Sequence, residues 1–485
     1  MSTPLSPPSD RMSGRAWGVL LVLCGAIFLE GIDVAMLNVA LPSIRSDLDL
    51  STGALSWVMS SYVLGYGGFM LLGGRAADLL GRRRMFLLWL GVFIVFSGLG
   101  GFATEGWILV VARFVTGVAA AFMAPAGLSI ITTNFAEGPQ RNKALLVYAG
   151  TAAAGFSLGL VVGGLLSEIS WRWVFFAPVI MASAILVAAL LLIPRGDDSP
   201  PQARGGFDLA GAITVTGAMM VLVFAVVRLE DPAAGWVWTA GALAVGIVLL
   251  AVFAAIERRS ASPLVRLGIL RSGPLVRANL GALLFAGSFF GFQFLVVLYL
   301  QELRGWSSLQ AALALLVVGI DAILAPTLTP RLVNRFGNVR VILGGLCLAA
   351  VAYALFLPIG LDWTYAAMFP TMIILGLAFS LTYGPLTIAA TDGVAEEEQG
   401  LAGGLLYTSF QFGAALGLSA VTAVNVAATG AGGSLLTELD GFRTALVIPV
   451  AMAVVGAAVI AFGLRGRGGA GAGLHRETPV AAESR

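Results

Sequence analysis

Apolar runs of about 18 or more residues recur from one end of the chain to the other, each long enough to cross a hydrocarbon core of about 30 Å as a helix. Charges and turn residues cut them into about fourteen spans, centred near Cys24, Leu64, Gly91, Arg113, Gly155, Ile185, Thr216, Ile247, Gly287, Val318, Leu346, Leu375, Ala414 and Val454. The seventh and eighth runs, Phe207 to Val227 and Trp236 to Ile256, also admit a reading as one re-entrant unit, although both exceed spanning length. The polar, Pro/Ser-rich start is followed by an apolar run from Ala16 to Leu41, too long for the core of a cleaved signal, so it reads as a retained first span.

Composition strengthens this pattern. Of 485 residues 58% are hydrophobic and only 11% charged, with mean hydropathy +0.94, whereas soluble chains carry roughly a quarter of their residues as charges. Such a chain needs lipid around it, and no stretch is left for a sizeable soluble domain. Cys24 and Cys347 both fall in apolar runs and read as small buried packing residues.

Charge distribution gives a direction. With the N-terminus in the cytoplasm, alternate loops collect Arg75 and Arg82 to Arg84, then Arg141 and Lys143, then Arg195 and Arg204, and later Arg258, Arg259, Arg266, Arg271, Arg277, Arg331, Arg335 and Arg340. The opposite loops hold far fewer, which predicts that both termini are cytoplasmic in a cell (inner or plasma) membrane. Trp107, Trp171, Trp173, Trp236, Trp238, Trp306 and Trp363 fall at the outer span ends, where an amphipathic ring suits the interface.

Several chemistries are excluded. The one lysine, Lys143, is not preceded by a phosphate-binding glycine loop, so nucleotide hydrolysis has no seat. The one histidine, His475, lies in a Gly/Arg-rich tail, and the two cysteines are far apart, so no metal or cofactor site is expected. A net charge of +2 gives no sign of nucleic-acid binding.

Ionisable residues at bilayer depth cost at least about 2.5 kcal/mol each and are functional candidates by default. Four stand out: Glu30 and Asp33 in the first span, Arg113 in the fourth and Asp321 in the tenth. Glu30 and Asp33 share one helix face with Asn38 two turns on. Two carboxylates on a dry face cannot both ionise cheaply, so one should hold a proton reversibly, as a proton-coupled carrier requires. Structural readings stand beside this: Glu30 reaching the outer interface, or Arg113 serving only to neutralise Asp33. Asp208 and Glu168 fall at span ends, where solvation is expected.

Motifs then carry a resemblance. Gly73, Gly74, Arg75, Asp78, Gly81, Arg82, Arg83 and Arg84 resemble the cytoplasmic motif of the major facilitator superfamily, with Leu79 where a basic residue is usual. Glycines there allow tight approach, and the carboxylate with its guanidinium neighbours can act as a conformational clamp on helix ends. Asn334, Arg335, Phe336, Gly337 and Arg340 form a degenerate echo, as duplication of a six-helix half would place it. Asp33 to Pro42, Arg113 with Gly117, and Gly155, Gly159, Gly163 and Gly164 resemble motifs of the fourteen-span drug:proton antiporter family, as do Trp171 to Pro178 and Gly403 to Gly417. Thr116 replaces a glutamine and Leu160 a proline.

The resemblance implies an all-α integral membrane protein of major facilitator fold, with two six-helix halves and two extra central spans. The expected divisions are 1–15 cytoplasmic tail, 16–195 N-terminal half, 196–260 linker spans, 261–465 C-terminal half and 466–485 tail. It also implies alternating access with small lipophilic, often cationic, drugs or antibiotics leaving as protons enter, and no enzyme activity. Proton coupling falls to Asp33, Glu30 and Arg113, and substrate binding to Asp321 and Asn38. The rival readings are a carrier of one specific metabolite in the same fold and a transport-inactive membrane sensor.

Overall fold

The computed structural model describes residues 13–135, 139–194, 208–228, 236–260, 263, 267–392, 394, 399–429 and 434–465. These are helical almost throughout: α1 (Gly14–Leu48), α2 (Thr52–Leu80), α3 (Arg82–Gly101), α4 (Gly106–Asn134), α5 (Pro139–Ile169), α6 (Trp173–Leu192), α7 (Leu209–Val227), α8 (Trp236–Glu257) and α9 (Gly273–Leu298). There follow α10 (Ser308–Leu316), α11 (Asp321–Thr327), α12 (Thr329–Phe336), α13 (Asn338–Phe356), α14 (Tyr365–Thr391), α15 (Gln399–Thr429), α16 (Leu435–Ala445) and α17 (Val447–Arg465). Among the described residues, 11 helical stretches are long and apolar enough to span a membrane. The helices α2, α5 and α7 run 29, 31 and 19 residues, which agrees with fourteen crossings. Elements α10 to α12 make one crossing, broken by a 3₁₀ turn at Val317–Ile320.

Short signals set the helix ends. Ser13, Ser51 and Ser307 accept from backbone amides of the first turn, and Ser307 forms a full capping box with Gln310. Gly81 joins α2 to α3 at φ +98° and Gly337 joins α12 to α13 at φ +83°, a backbone region in which a side chain would be strained. The predicted motif and its echo thus turn the chain in the same way.

Pairwise packing repeats in the two halves. Helix α1 packs along α5, and α9 packs along α15 in the same manner; α3 with α6 corresponds to α13 with α17. The halves meet where α2 lies against α15 and α5 against α10, and the inserted pair α7 and α8 pack on each other, with α7 also touching α2 and α15. Outward-facing Leu21, Val95, Leu191 and Phe462 are exposed, as a lipid-facing surface requires.

Two sequence expectations fail here, each for its own physical reason. Cys24 is buried but Cys347 is exposed on the bundle surface, because lipid satisfies an apolar face as well as a protein core does. Trp107, Trp173 and Trp238 are exposed as an interfacial ring should be, but Trp171 is 4% exposed and its indole N–H donates to Asp47 at 2.9 Å. A carboxylate partner has drawn that ring into the protein.

Candidate functional site

Glycines decide how closely α1 is held. A Cβ on Gly155 would lie 2.6 Å from the Phe28 carbonyl oxygen, one on Gly159 2.8 Å from the Ile32 Cα, and one on Gly163 2.6 Å from the Met36 Cα. Three of the four glycines singled out by sequence therefore seat α5 against one stripe of α1. Gly164 faces the other half instead, with its Cβ position 3.0 Å from the Leu309 Cα. On the other side of α1, the α2 and α4 backbones cross closely, since a Cβ on Gly117 would strike the Tyr62 carbonyl and one on Gly65 the Phe114 carbonyl. Small residues at such spacing let helices approach without side chains between them.

This crossing brings the predicted charges together. Arg113 Nη1 donates to Asp33 Oδ2 at 2.5 Å, and each residue is only 2% exposed. The guanidinium lies 4.3 Å from the centre of the Tyr62 ring, a cation–π contact that a dry site strengthens. Thr116 spends its hydroxyl on the Arg113 carbonyl of its own helix at 3.0 Å. Arg113 Nε has no hydrogen-bond partner among the described residues.

Glu30 stands one turn before Asp33, half-buried, and accepts from Tyr407 Oη of α15 at 2.8 Å. The hydrogen bond joins the two halves of the molecule. Tyr407 in turn packs on Tyr66, ring centroids 5.2 Å apart. Asn38, 3% exposed, donates to Oε1 of Gln293 on α9 at 3.2 Å, again across the halves. Gln293 is fully buried. Toward the end of the bundle predicted to be outer, Gln301 Nε2 donates to the Val39 carbonyl at 2.9 Å and Arg45 pairs with Glu302 at 2.6 Å. Gln301 and Glu302 belong to a π-helical turn, Tyr299–Leu303. Glu168, expected to be merely solvated, is exposed but accepts from the first-turn amide of Leu309 on α10 at 3.2 Å. Asp208 accepts from the Gly211 amide at 2.7 Å and so starts α7. Above these links lies a cavity of about 1780 Å³ bordered by both halves, with Asp47, Arg172 and Glu438 on its walls.

Asp321 is placed apart from this group. It opens α11 directly after the 3₁₀ break, half-buried, in the half opposite Asp33. At the predicted clamp, Gly73 packs against the Ala121 carbonyl of α4, and a Cβ on Gly74 would meet the Pro125 side chain at 3.8 Å. Arg82 Nη1 donates to the Ser129 carbonyl at 3.4 Å, and Arg83 reaches the Ile193 and Leu190 carbonyls at 3.1 and 3.4 Å. Basic groups thus sit on the C-terminal carbonyls of α4 and α6, where the helix dipole favours them. The side chain of Asp78 lies outside the described residues.

Sequence reasoning missed Tyr62, Tyr407 and Gln293. Tyrosines in apolar spans have no signature separating a site from a core. Gln293 did leave a signal, because it lies 255 residues after Asn38, the same offset that relates the glycine seats Phe28 and Ile32 to Leu283 and Gly287, which meet Gly413 and Gly417.

Comparison with known proteins agrees with this architecture. A bacterial homologue of the lysosomal transporter Spinster, solved facing inward and occupied, superposes with TM-score 0.67 at 18% identity, over 94% of this chain and 98% of that one. The puromycin resistance protein pur8 of Streptomyces alboniger is 33% identical over 91% of this chain and 89% of its own length. The cephamycin export protein CmcT of Amycolatopsis lactamdurans is 33% identical over 91% and 92%, and the multidrug efflux pump LfrA of Mycolicibacterium smegmatis 31% identical over 85% and 81%. The family model for the Major Facilitator Superfamily matches residues 23–418, and this chain, a multi-pass membrane protein of a transporter family, belongs to that superfamily.

Proposed function

We propose that this protein exports lipophilic, often cationic, drugs or antibiotics in exchange for protons by alternating access. The observation that carries the reading is the sealed pair of Asp33 and Arg113, at 2.5 Å and 2% exposed on both sides. Separating a buried carboxylate from its guanidinium leaves an uncompensated charge that a proton can neutralise, so a shift of α4 against α1 offers a way to couple movement to protons. The resistance, export and efflux activities named for relatives at 31 to 33% identity support small-molecule export.

In this reading the α1–α9 links near Asn38 and Arg45 close the outer end, and both termini face the cytoplasm. Arg82 and Arg83 of α3, donating to carbonyls at the ends of α4 and α6, hold the N-terminal half rigid as it rocks. Asp321 supplies a second counter-charge for substrate on the C-terminal half, and Asn38 a hydrogen-bonding contact.

A narrower reading has its own support, because pur8, the lincomycin resistance protein and CmcT are each named for a single antibiotic. In that reading the protein carries one such compound in the same fold. The test is a panel of cationic dyes and antibiotics presented to everted vesicles that carry a proton-sensitive dye. Proton release on addition of many unrelated lipophiles supports broad efflux, and release by one compound class supports the narrow reading. Transport of any of them without proton movement refutes coupling.

A further inference from the structure

Asp33 is only 2% exposed, whereas Glu30 is half-buried at the seam between the halves. Any proton cycling at Asp33 needs a path through protein, and a cavity that borders Glu30 and Tyr62, though not Asp33 itself, gives the start of one. A cavity of about 10 Å³ lies among α1 to α5, bordered by Glu30, Tyr62 and Tyr148 and otherwise by apolar residues such as Phe86, Ala120 and Met123. A site of this size holds about one water, and a water there needs 2 to 4 polar partners. Three bordering residues carry hydroxyl or carboxyl groups.

Tyr62 belongs to both places. It borders the cavity, its ring carries the Arg113 guanidinium that pairs with Asp33, and its hydroxyl is buried without a hydrogen-bond partner among the described residues. The remaining titratable groups facing Glu30 are Asp33 on its own helix, Tyr66 on α2, Tyr148 on α5, Tyr383 on α14 and Tyr407 on α15. No cation beyond Arg113 faces Tyr62 among the described groups.

Resting on the proton-coupled reading above, we infer that Tyr62 and one water in this cavity relay protons between Glu30 and Asp33, and that Tyr407 of the opposite half closes the Glu30 end of the chain. The step is balanced: the Glu30 carboxyl releases its proton to the water, the water passes one of its own to the Tyr62 oxygen, and the Tyr62 hydroxyl proton goes to Asp33. Water and tyrosine are regenerated, and only the two carboxyl groups change. The Tyr407 bond to Glu30 forms only when α15 lies against α2, so parting of the halves frees Glu30 to exchange with solvent.

Infrared spectroscopy of the purified protein after a pH jump tests this without any substrate. Glu30→Gln and Asp33→Asn identify the two carboxyl bands. Tyr62→Phe keeps the ring beneath the guanidinium and should slow growth of the Asp33 band at least about tenfold, leaving the Glu30 band unchanged. Ala120→Val, which fills the cavity and removes no hydroxyl, should do the same. Wild-type growth of the Asp33 band in either variant overturns the relay. Drug-driven proton release in vesicles is the separate readout: its absence in the wild type, with the infrared slowing intact, defeats the coupled reading and leaves the relay standing. Its persistence at full rate in Tyr62→Phe overturns the relay and leaves coupling intact.

Discussion

The two halves of this protein share a scaffold and differ in chemistry. In the N-terminal half, Gly155 and Gly159 of α5 seat against Phe28 and Ile32 of α1; in the C-terminal half, Gly413 and Gly417 of α15 seat against Leu283 and Gly287 of α9. The same offset of 255 residues, which the Asn38 and Gln293 pair also obeys, places Phe285 opposite Glu30 and Ser288 opposite Asp33. Ser288 gives its hydroxyl to the Phe285 carbonyl at 2.8 Å and accepts from Tyr353 at 3.4 Å, so that position holds structure and no charge. Aromatic rings replace carboxylates around it: Phe285, Phe289, Phe379, Tyr383 and Phe410 form a connected chain of ring contacts. The small residues thus recur in both halves, whereas the position equivalent to Asp33 carries no charge and Asp321 of the C-terminal half lies elsewhere, on α11. Under the proposed function, proton chemistry belongs to α1 and α4 and apolar substrate contact to α9, α14 and α15.

The sharpest way to break this comparison is to exchange residues at equivalent positions. Asp33→Asn should lower drug-driven proton release at least about 100-fold with the protein still folded in the membrane, because an amide cannot cycle a proton. Efflux that remains should lose its dependence on pH. Ser288→Ala, the equivalent change, should leave transport within about twofold and cost about 1 kcal/mol of stability. Comparable losses of coupling in both variants would show that the asymmetry has no functional content.

Arg113→Ala should come next. Removing one partner of a buried pair costs about 3–5 kcal/mol, so thermal unfolding in detergent should shift strongly, and Arg113→Lys should shift less. Unchanged unfolding in both would mean that Asp33 is neutral in this state. Asp321→Asn, a change in the other half, should lower dication efflux about tenfold more than monocation efflux, since a second positive charge needs a second counter-charge in a low dielectric. Equal losses for both classes, at matched expression, would remove Asp321 from substrate selection.

Smaller effects probe the shared scaffold. Gly159→Val and Gly417→Val should each destabilise by about 1–3 kcal/mol, because both force a side chain into a neighbouring backbone. A large effect in one half alone would contradict the equivalence of the two crossings. Finally, a double-mutant cycle of Asn38→Ala and Gln293→Ala should report a coupling of about 1 kcal/mol, the value of one buried neutral hydrogen bond. Additive effects would show that the contact holds nothing together.

Much of the site was legible in advance. Asp33 and Arg113 stood out because charge inside an apolar run is costly and calls for a partner, and the structure supplies one. The glycines of α5 were legible as a packing stripe because spacing by four survives any change of partner. Glu30 was legible as a carboxylate but not its neighbour, since Tyr407 is 377 residues away and has no local mark. The cavity beside Glu30 was invisible, being the residue of imperfect packing among five helices rather than a property of any one of them.

The sequence by itself determined the membrane class, the spans and the places where charge enters lipid, because these follow from hydrophobic length and from the cost of burying ions, both local quantities. It marked Gly81 and Gly337 as matching glycines of a motif and its echo, and the structure then showed each turning the chain at positive φ. Only the tertiary structure decided which charges meet. The 2.5 Å contact of Arg113 with Asp33 depends on how closely α2 and α4 cross, and the hydrogen bonds from Tyr407 and Asn38 depend on how one half lies against the other. Lipid screens no exposed apolar face from another, so the sequence could not tell Cys347 on the surface from Cys24 in the core.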